Sequence, residues 1–287
     1  MIIVRIWEGL GNQMFQYAYA RALAKERQDV YLDLGKAYDD FFPRLLTAAR
    51  RETTVDHFRI TLPSVDVEKL GRYSYLRRKN GVEYLIAEMA QKKMWPFAFI
   101  ETKVPDEIPL IHKWNRNCYI KGWFQNENVF AGIRRELLRE FSPKEKIRIP
   151  KMLMGKIFEK ESVAVHIRRG DYVTTHIVLP VTYYKRAKTE IEKRVQDPIY
   201  IVFSDDYKWA KEHVDLGENV VYVDEVTDWK DYEQLYVMSR CKNQIIANST
   251  FSWWAAWLNQ NQDKVIVMPK QYVMSASNLR IKNSIVI

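Results

Sequence analysis

The residues best suited to chemistry lie together in the stretch His166-Ile167-Arg168-Arg169-Gly170-Asp171. The segment before them alternates small and β-branched residues, which is typical of a strand buried on both faces. A guanidinium presents a planar fork of N–H donors that fits phosphate oxygens, so arginines at the end of such a strand could bind phosphate. They could equally form an Arg–Asp pair on the surface, and this stretch alone favours neither interpretation.

Two further predicted strands also end in polar residues. One is followed by Ser204-Asp205-Asp206, and another by Asn248-Ser249-Thr250, which opens a helix that contains Ser252. Carboxylates accept the N–H donors of a guanine edge, and hydroxyls at the start of a helix suit phosphate. Each segment alone is more often a turn or a helix cap. Three such segments on one edge of a sheet favour a nucleotide site.

The second half of the chain has the rhythm that would place these residues together. Strands are predicted at 163–167, 199–203, 220–223, 244–247 and 265–268, with helices between them at 181–195, 207–213, 229–239 and 251–260. This alternation predicts βαβ units and a doubly wound parallel sheet. Right-handed crossovers put the strand-end loops on one edge of that sheet.

The start of the chain repeats the pattern in outline, with a strand at 2–6, a glycine turn, a helix at 14–24 and a strand at 30–34. Strand, turn and helix in this order point backbone N–H groups at an anion. Gly9 and Gly11 lack the third glycine of a dinucleotide fingerprint, which argues against a nicotinamide or flavin site. Asn12 either caps the helix or faces a ligand.

Between 36 and 117 the pattern is irregular, with helix-like segments at 64–78 and 83–94. A strand then ends in Trp123-Phe124-Gln125, where a ring and an amide could hold a sugar or simply pack in the core. A helix is predicted at 129–141. The charged, proline-bounded segment 143–150 is the best candidate for a boundary, which gives domains 1–145 and 146–287.

Composition narrows the class of protein. The 287 residues carry a net charge of +9, which favours anionic partners, although the basic residues are scattered along the chain. The two cysteines, Cys118 and Cys241, match no metal-ligand spacing. No apolar run approaches the ~18 residues of a spanning helix, and the first residues are unlike a signal peptide. A cytoplasmic, soluble protein is therefore expected.

Several segments together resemble a known family, the α-1,2-fucosyltransferases of glycosyltransferase family 11 in the form without a membrane anchor. The segments are 9–17 (GLGNQMFQY), 122–125 (GWFQ), 166–172 (HIRRGDY), 203–206 (FSDD) and 248–254 (NSTFSWW). The resemblance implies a GT-B architecture, in which two Rossmann-like domains face across a cleft, with the acceptor side in the first and GDP-fucose in the second. It also implies inverting transfer from GDP-β-L-fucose to the 2-hydroxyl of a terminal galactose, with no metal or other cofactor.

Matched residue by residue, the resemblance gives roles to the polar positions. Arg168 would hold the donor pyrophosphate and stabilise the departing GDP, while Arg169 would hold its own loop together. His166 and Asp206 would contact the guanosine, beside Ser204 and Asp205. The other predicted contacts are Asn248, Ser249, Thr250 and Ser252 on the phosphates, Asn12 on the phosphates or the reacting sugar, and Gly11, Gln13, Trp123 and Gln125 elsewhere on the substrates.

The base that takes the acceptor proton is not assigned by these patterns. Asp171 and Glu8 are the candidates, although Asp171 could instead pair with one of the arginines. The family's turn usually begins Gly-Gly-Leu-Gly, and in this chain Glu8 replaces the first glycine. An exposed and tolerated side chain is favoured there over a carboxylate in the active site.

Two other functions are compatible with the residues. A glycosyltransferase of the same fold could use another nucleotide sugar, and a basic protein could bind nucleic acid or an anionic membrane without catalysis. The second alternative leaves Asp205 and Asp206 without a purpose. The expected partners are therefore GDP-fucose and a galactose-terminated glycan, with no nucleic acid, while peripheral contact with a membrane stays open.

Overall fold

Each half of the protein is built around its own parallel β-sheet. The structure is a computed structural model that describes residues 1–35, 53–67, 69, 97–102, 117–270 and 279–287. These residues form two compact units, Met1–Ser142 (unit 1) and Pro143–Ile287 (unit 2).

Four parallel strands form the sheet of unit 1, in the order β2-β1-β4-β3. Their bounds are β1 Ile2–Arg5, β2 Val30–Asp33, β3 Phe97–Thr102 and β4 Asn117–Gly122. The buried residues of β1 lie between β2 and β4, and Ile2 pairs with Val30 on one side and Cys118 on the other. The strand order therefore switches direction between β1 and β4, which is where open α/β sheets bind ligands.

The first helix, α1, spans Leu10–Leu23 and is buried along most of its length. It begins four residues earlier than the apolar pattern predicts, because Gly9 occupies the N-cap. Asn12 consequently lies inside the first turn, and the alternative in which Asn12 caps the helix is wrong.

A second helix, α2 (Arg134–Glu140), lies near the end of unit 1. The sequence predicts a single helix over 129–141, whereas two short 3₁₀ helices, Glu127–Val129 and Ala131–Ile133, precede α2. Glu140 is 1% exposed and accepts hydrogen bonds from Tyr17 and Arg21 of α1. This buried carboxylate fixes α1 against the rest of the unit.

Six parallel strands form the sheet of unit 2, in the order β10-β9-β8-β5-β6-β7. They are β5 Ser162–Ile167, β6 Ile199–Ser204, β7 Val220–Tyr222, β8 Asn243–Ile245, β9 Ile266–Met268 and β10 Ile285–Val286. The chain moves outward through β6 and β7 and then returns to place β8 beside β5, so the order switches between β5 and β8. The predicted doubly wound parallel sheet is confirmed.

The helices of unit 2 connect these strands. They are α3 Lys151–Phe158, α4 Gly170–Thr174, α5 Val181–Glu192, α6 Tyr207–His213, α7 Asp231–Arg240 and α8 Thr250–Leu258. The last four agree with the predicted helices to within three residues at each end. The sequence predicts neither α3 nor α4, and the five residues of α4 are too few to show a helical period. The main core packs β5 and β6 against α5, with Val165, Val202 and Tyr184 among its members.

The irregular segment of the sequence contains a strand that local pattern did not reveal. β3 pairs along its whole length with β4, and such long-range pairing is not encoded in the spacing of nearby residues. The helix predicted at 83–94 and most of the one predicted at 64–78 lie outside the described residues. In the part of the chain that the structure describes, none of the helices is long and apolar enough to cross a bilayer.

Candidate active site

The unit 2 residues predicted to bind the donor lie at or just after the carboxyl ends of β5, β6 and β8. The ring of His166 lies 5.4 Å from that of Phe251 in the first turn of α8, measured between centroids. The hydroxyl of Tyr172 donates to the carbonyl of Asn248 at 3.3 Å. The structure thus brings the end of β5 and the segment after β8 together at the switch point of the sheet.

Arg168 contacts two carboxylates of this cluster. Its Nη2 donates to Asp171 Oδ1, and its Nη1 lies 2.7 Å from Asp205 Oδ2. Of the two alternatives for Asp171, pairing with an arginine is the one that the structure contains. All three side chains are between 25% and 36% exposed, so a phosphate could replace a carboxylate without leaving a fully buried charge unpaired.

The close approach of Asp205 explains the glycine at position 170. A Cβ there would lie 2.7 Å from Asp205 Oδ2 and 3.8 Å from Arg168 Cζ. The carboxylate of Asp205 is not free to move away, because it also accepts from the backbone N–H of Arg169 at 2.8 Å. The absence of a side chain at Gly170 therefore allows the Arg168–Asp205 pair to form.

Arg169 makes contacts of another kind. Its Nε donates to Asp206 Oδ2 at 3.0 Å, and its Cζ lies 3.8 Å from the centre of the Trp209 ring. Asp206 also caps α6 by accepting from the N–H of Trp209 at 3.1 Å, while Ser204 Oγ accepts from the N–H of Asp206 at 3.0 Å. Arg169 therefore holds the loop after β5 against the start of α6.

His166 is 6% exposed at the end of β5. Burial, and to a lesser degree the positive charge of Arg168, lower the pKa of His166 to about 3. The imidazole is therefore neutral at physiological pH. Its buried Nδ1 makes no hydrogen bond with any of the described residues. Leaving a buried polar atom unpaired costs about 1–3 kcal/mol, which a ligand could recover.

Asn248 contributes a second buried atom of this kind. Its Nδ2 donates to the carbonyl of Ile177 at 2.8 Å, whereas its Oδ1 has no partner within the described ranges. Both atoms, His166 Nδ1 and Asn248 Oδ1, belong to the two strand ends that form the switch point. Because both atoms lie at the switch point, they indicate a site in which a polar ligand supplies the missing hydrogen bonds.

The hydroxyl residues after Asn248 shape the start of α8. Ser249 is the N-cap, and its Oγ accepts from the N–H of Phe251 at 3.4 Å. Ser252 is fully buried, and its Oγ accepts from the N–H of Ala247 at 3.2 Å. Thr250 is the first helical residue and is half-buried. Ser252 therefore supports the turn from inside, Ser249 is also buried, and Thr250 is the one of the three that is partly exposed.

A second polar cluster lies at the switch point of unit 1. Glu8 Oε2 accepts from Asn12 Nδ2 and, at 3.0 Å, from Trp123 Nε1. Gln125 Nε2 donates to Asn12 Oδ1 at 2.9 Å. Since the oxygen and the nitrogen of the Asn12 amide each have a partner, the orientation of that amide is fixed.

Glu8 adopts a left-handed backbone conformation, with φ of 65°. Glycine takes this conformation without the steric cost that a Cβ adds, which accounts for a glycine at the start of the family's turn. The prediction that the Glu8 side chain is exposed is wrong. It is half-buried, and its carboxylate bonds into the cluster with Asn12.

Gln13 and Gly11 are buried within unit 1. The Oε1 of Gln13 accepts from the backbone N–H groups of Thr54 and Val55, and its Nε2 donates to the carbonyl of Glu8 at 2.7 Å. In this structure Gln13 holds the turn that carries Glu8, and it does so from the interior.

Trp7 belongs to the same cluster, although the sequence did not single it out. Its ring stacks on that of Trp123 at 5.9 Å between centroids, and Lys121 Nζ lies 4.4 Å from its centre. Its buried Nε1 has no hydrogen-bond partner in the described residues. The position of Trp7 between β1 and the glycine turn could have indicated a role in the site. The sequence alone does not distinguish such a residue from an aromatic residue that packs in the core.

The unit 2 cluster offers donors that suit an anionic ligand. The guanidinium of Arg168 and the N–H groups at the start of α8 both favour phosphate oxygens. Within the described ranges, no three His, Cys, Asp or Glu side chains are grouped closely enough to hold a metal ion.

Comparison with known proteins extends over nearly the whole chain. The family described as Glycosyl transferase family 11 matches residues 1–285. The O-antigen biosynthesis glycosyltransferase WbnK of Escherichia coli is 30% identical over 92% of this chain and 92% of its own length. The alpha-1,2-colitosyltransferase of the same organism is 28% identical over 94% and 91%. Galactoside alpha-(1,2)-fucosyltransferase 2 of Hylobates lar is 25% identical over 87% of this chain and 66% of its own length.

Among solved structures, a mutant of FUT1 from Arabidopsis thaliana in complex with GDP aligns with a TM-score of 0.54 at 13% identity. The alignment covers 92% of this chain and 69% of that protein. At this level of identity the likeness concerns the fold alone. Together with the two parallel sheets, it confirms the predicted α/β fold of the GT-B class.

Proposed function

We propose that this chain, which belongs to glycosyltransferase family 11, transfers an L-fucosyl group from GDP-β-L-fucose to the 2-hydroxyl of a terminal galactose. Unit 2 would bind the donor, and unit 1 would serve the acceptor side. The product would carry an α-1,2 linkage, formed with inversion at the anomeric carbon. The relatives include an α-1,2-colitosyltransferase and an α-1,2-fucosyltransferase. Since both names give the α-1,2 linkage but different sugars, they support the linkage more strongly than the choice of fucose.

The observation that carries the proposal is the position of Arg168 at the switch point of unit 2. Its guanidinium pairs with two partly exposed carboxylates, Asp171 and Asp205, which a pyrophosphate could displace. As the bond from the anomeric carbon to phosphate breaks, negative charge grows on the leaving GDP. A donor fixed at that place stabilises the transition state more than the ground state.

The neighbouring residues suit the rest of the nucleotide. We assign the two buried atoms without a partner in the described residues, His166 Nδ1 and Asn248 Oδ1, to hydrogen bonds with the donor. Asp205 and Asp206 are engaged with arginine, but each carboxylate oxygen has a second lone pair for a guanine N–H. The start of α8, with Ser249 and Thr250, would lie against the phosphates.

In unit 1, the fixed amide of Asn12 is the group proposed to contact the reacting sugar. Its second Nδ2 hydrogen and the second lone pair of its Oδ1 remain for substrate. Glu8 and Gln125 would act as positioning residues, because both bond directly to that amide. The stacked rings of Trp7 and Trp123 offer a flat apolar surface suited to a sugar face.

The reaction would be a single displacement. The acceptor oxygen forms a bond to the anomeric carbon while the bond to GDP breaks, through an oxocarbenium-like transition state. The proton of the hydroxyl leaves to a base or to water. Asp171 and Glu8 both stay candidates for that base, since pyrophosphate would release Asp171 from Arg168 and Glu8 holds its carboxylate beside Asn12.

The test is an incubation with GDP-fucose and a panel of galactose-terminated oligosaccharides, followed by linkage analysis of the product. We expect an α-1,2-fucosylated product, inhibition by GDP but not UDP, and undiminished rate after EDTA treatment. GDP at about 100 times its Kd should stabilise the protein by about 2.7 kcal/mol. Transfer from a different nucleotide sugar only, such as a colitosyl donor, would keep the reaction class and overturn the fucose assignment.

A further inference from the structure

One helix of unit 2 exposes an unusual number of apolar side chains. Five large apolar side chains are exposed among the described residues, and three of them are on the eight-residue helix α3. Met152 is 60% exposed, Met154 45% and Phe158 44%. Single exposed apolar residues need no explanation, but a concentration on two helical turns indicates an interaction surface.

The fold makes this exposure unavoidable. Leu153 and Ile157 are fully buried and attach α3 to unit 2. At 100° per residue, their positions place Gly155 at the centre of the opposite face, with Met154 and Phe158 beside it one turn apart. Among the described residues, a Cβ at Gly155 would contact only the carboxylate of Glu159, at 3.6 Å. The outer face of α3 therefore has no side chain at its centre and apolar side chains beside it.

The segment before α3 extends this apolar surface. Residues 146–151 and Met154 line an open groove of about 610 Å³. Ile147 and Ile149 are half-buried within it. We refer to this segment and the outer face of α3 as the α3 surface.

The α3 surface is also basic. Four of its cations make no ion pair within the described residues: Lys146, Arg148, Lys151 and Lys156. Two exposed acids, Glu145 and Glu159, lie close by in the chain, and Glu161 is paired with Lys242 at 2.7 Å. On α5, Lys185 and Arg186 likewise make no ion pair within the described residues, but Val181 is the one large apolar side chain exposed there. What distinguishes the α3 surface is thus the combination of unpaired cations with three large exposed apolar side chains.

We propose that the α3 surface docks on an anionic phospholipid bilayer. Met152, Met154 and Phe158 would enter the boundary between headgroups and acyl chains, and the lysines and Arg148 would lie on lipid phosphates. Lysine interleaved with apolar residues fits a membrane surface, where its stem packs and its ammonium stays in the headgroup region. The cores of protein–protein interfaces are depleted in lysine, so a protein partner fits this composition less well.

The test measures binding of the full chain to phosphatidylcholine vesicles with and without phosphatidylglycerol. We expect binding to the anionic vesicles only, weakened but not abolished between about 0.1 M and about 1 M salt, because screening removes the charge contribution and leaves the apolar one. Amide hydrogen exchange in α3 should slow when anionic vesicles are present.

Two double variants separate the contributions. Lys146→Glu with Lys151→Glu should lower the partition coefficient at least about twentyfold, since each basic residue near the surface contributes about fivefold. Met154→Ser with Phe158→Ser should lower it roughly tenfold. All four side chains are exposed or line an open groove, so circular dichroism and thermal unfolding should show folded proteins.

Matched controls lie on α5, where Lys185, Arg186 and Val181 are exposed. Lys185→Glu with Arg186→Glu, and Val181→Ser, should leave vesicle binding within about twofold of wild type. Equal loss in the α5 charge variant would overturn the proposal in favour of diffuse attraction by the net charge. Binding that does not depend on phosphatidylglycerol would also overturn it, as would a lipid-free dimer that Met154→Ser with Phe158→Ser dissociates.

Discussion

The polar clusters of the two units differ in character, although each lies at the switch point of its own sheet. In unit 1, the amides of Asn12 and Gln125 and the carboxylate of Glu8 bond to one another. In unit 2, Arg168 pairs with partly exposed carboxylates, and His166 keeps a buried atom without a partner in the described residues. The hydrogen bonds of unit 1 fix the orientation of the Asn12 amide. In unit 2, by contrast, Arg168 can exchange its carboxylate partners for the phosphate oxygens of a ligand. The same place in a parallel sheet can thus serve for positioning or for charge stabilisation.

The largest effect on catalysis is expected when the cation of the unit 2 cluster is removed. Arg168→Ala should lower kcat for transfer from GDP-fucose about a hundred- to a thousandfold, because the charge that develops on GDP loses its donor. Steady-state kinetics and thermal stabilisation by GDP would measure it. Arg186→Ala, on the exposed face of α5, is the matched control. Near-normal turnover of the Arg168 variant would remove this residue from the mechanism.

The next effect addresses the positioning role of unit 1. Asn12→Ala should lower transfer roughly ten- to a hundredfold, as expected when a polar contact to substrate is lost and its partners stay unpaired. Glu8→Gln should cost less than about tenfold if Glu8 only orients Asn12. Both are read from kcat and KM with the galactose acceptor.

The Glu8→Gln variant also distinguishes a positioning role of Glu8 from a role as the general base. A general base contributes roughly 10²–10⁴-fold, and its removal would eliminate the acidic limb of the pH–rate profile. A Glu8→Gln variant with that loss and that change in profile would make Glu8 the base. An unchanged profile would keep it as a positioning residue.

A smaller effect is expected from Gly170→Ala. The new Cβ would lie 2.7 Å from Asp205 Oδ2 and would force the Arg168–Asp205 pair apart, at a cost of about 1–3 kcal/mol in stability. Donor KM should rise several-fold, since Arg168 loses one of the groups that place it. Gly155→Ala is the control, because its Cβ has room and the helix should gain about 0.5–1 kcal/mol. Denaturant unfolding of both variants measures the contrast.

The smallest effect at neutral pH concerns His166. Its pKa is about 3 in the folded protein and near its usual value of about 6.5 when unfolded, so the unfolded state binds more protons between these limits. Stability should therefore fall as pH falls from about 6.5 towards 3, by at most about 1.4 kcal/mol per pH unit from this residue. His166→Gln should flatten that slope. Parallel slopes for wild type and His166→Gln would contradict a buried neutral imidazole.

Most of the unit 2 sheet could be predicted, because its strands are short apolar runs with polar residues at their ends. The two arginines make different contacts, Arg168 with Asp171 and Asp205 and Arg169 with Asp206 and Trp209, while the role of Arg168 on the pyrophosphate stays a prediction. β3 could not be predicted in the same way. Its pairing with β4 joins distant parts of the chain, and residues 97–102 show no pattern that requires it.

The sequence by itself determined which chemical groups this protein has and at which strand ends they lie, because apolar period and loop composition are local properties. Tertiary structure decided how those groups pair. Asp171 turns to Arg168, and the carboxylate of Glu8 meets the indole of Trp123, 115 residues away. It also left the apolar and basic outer face of α3 exposed. These outcomes depend on distances between remote segments, and only the folded chain sets those distances.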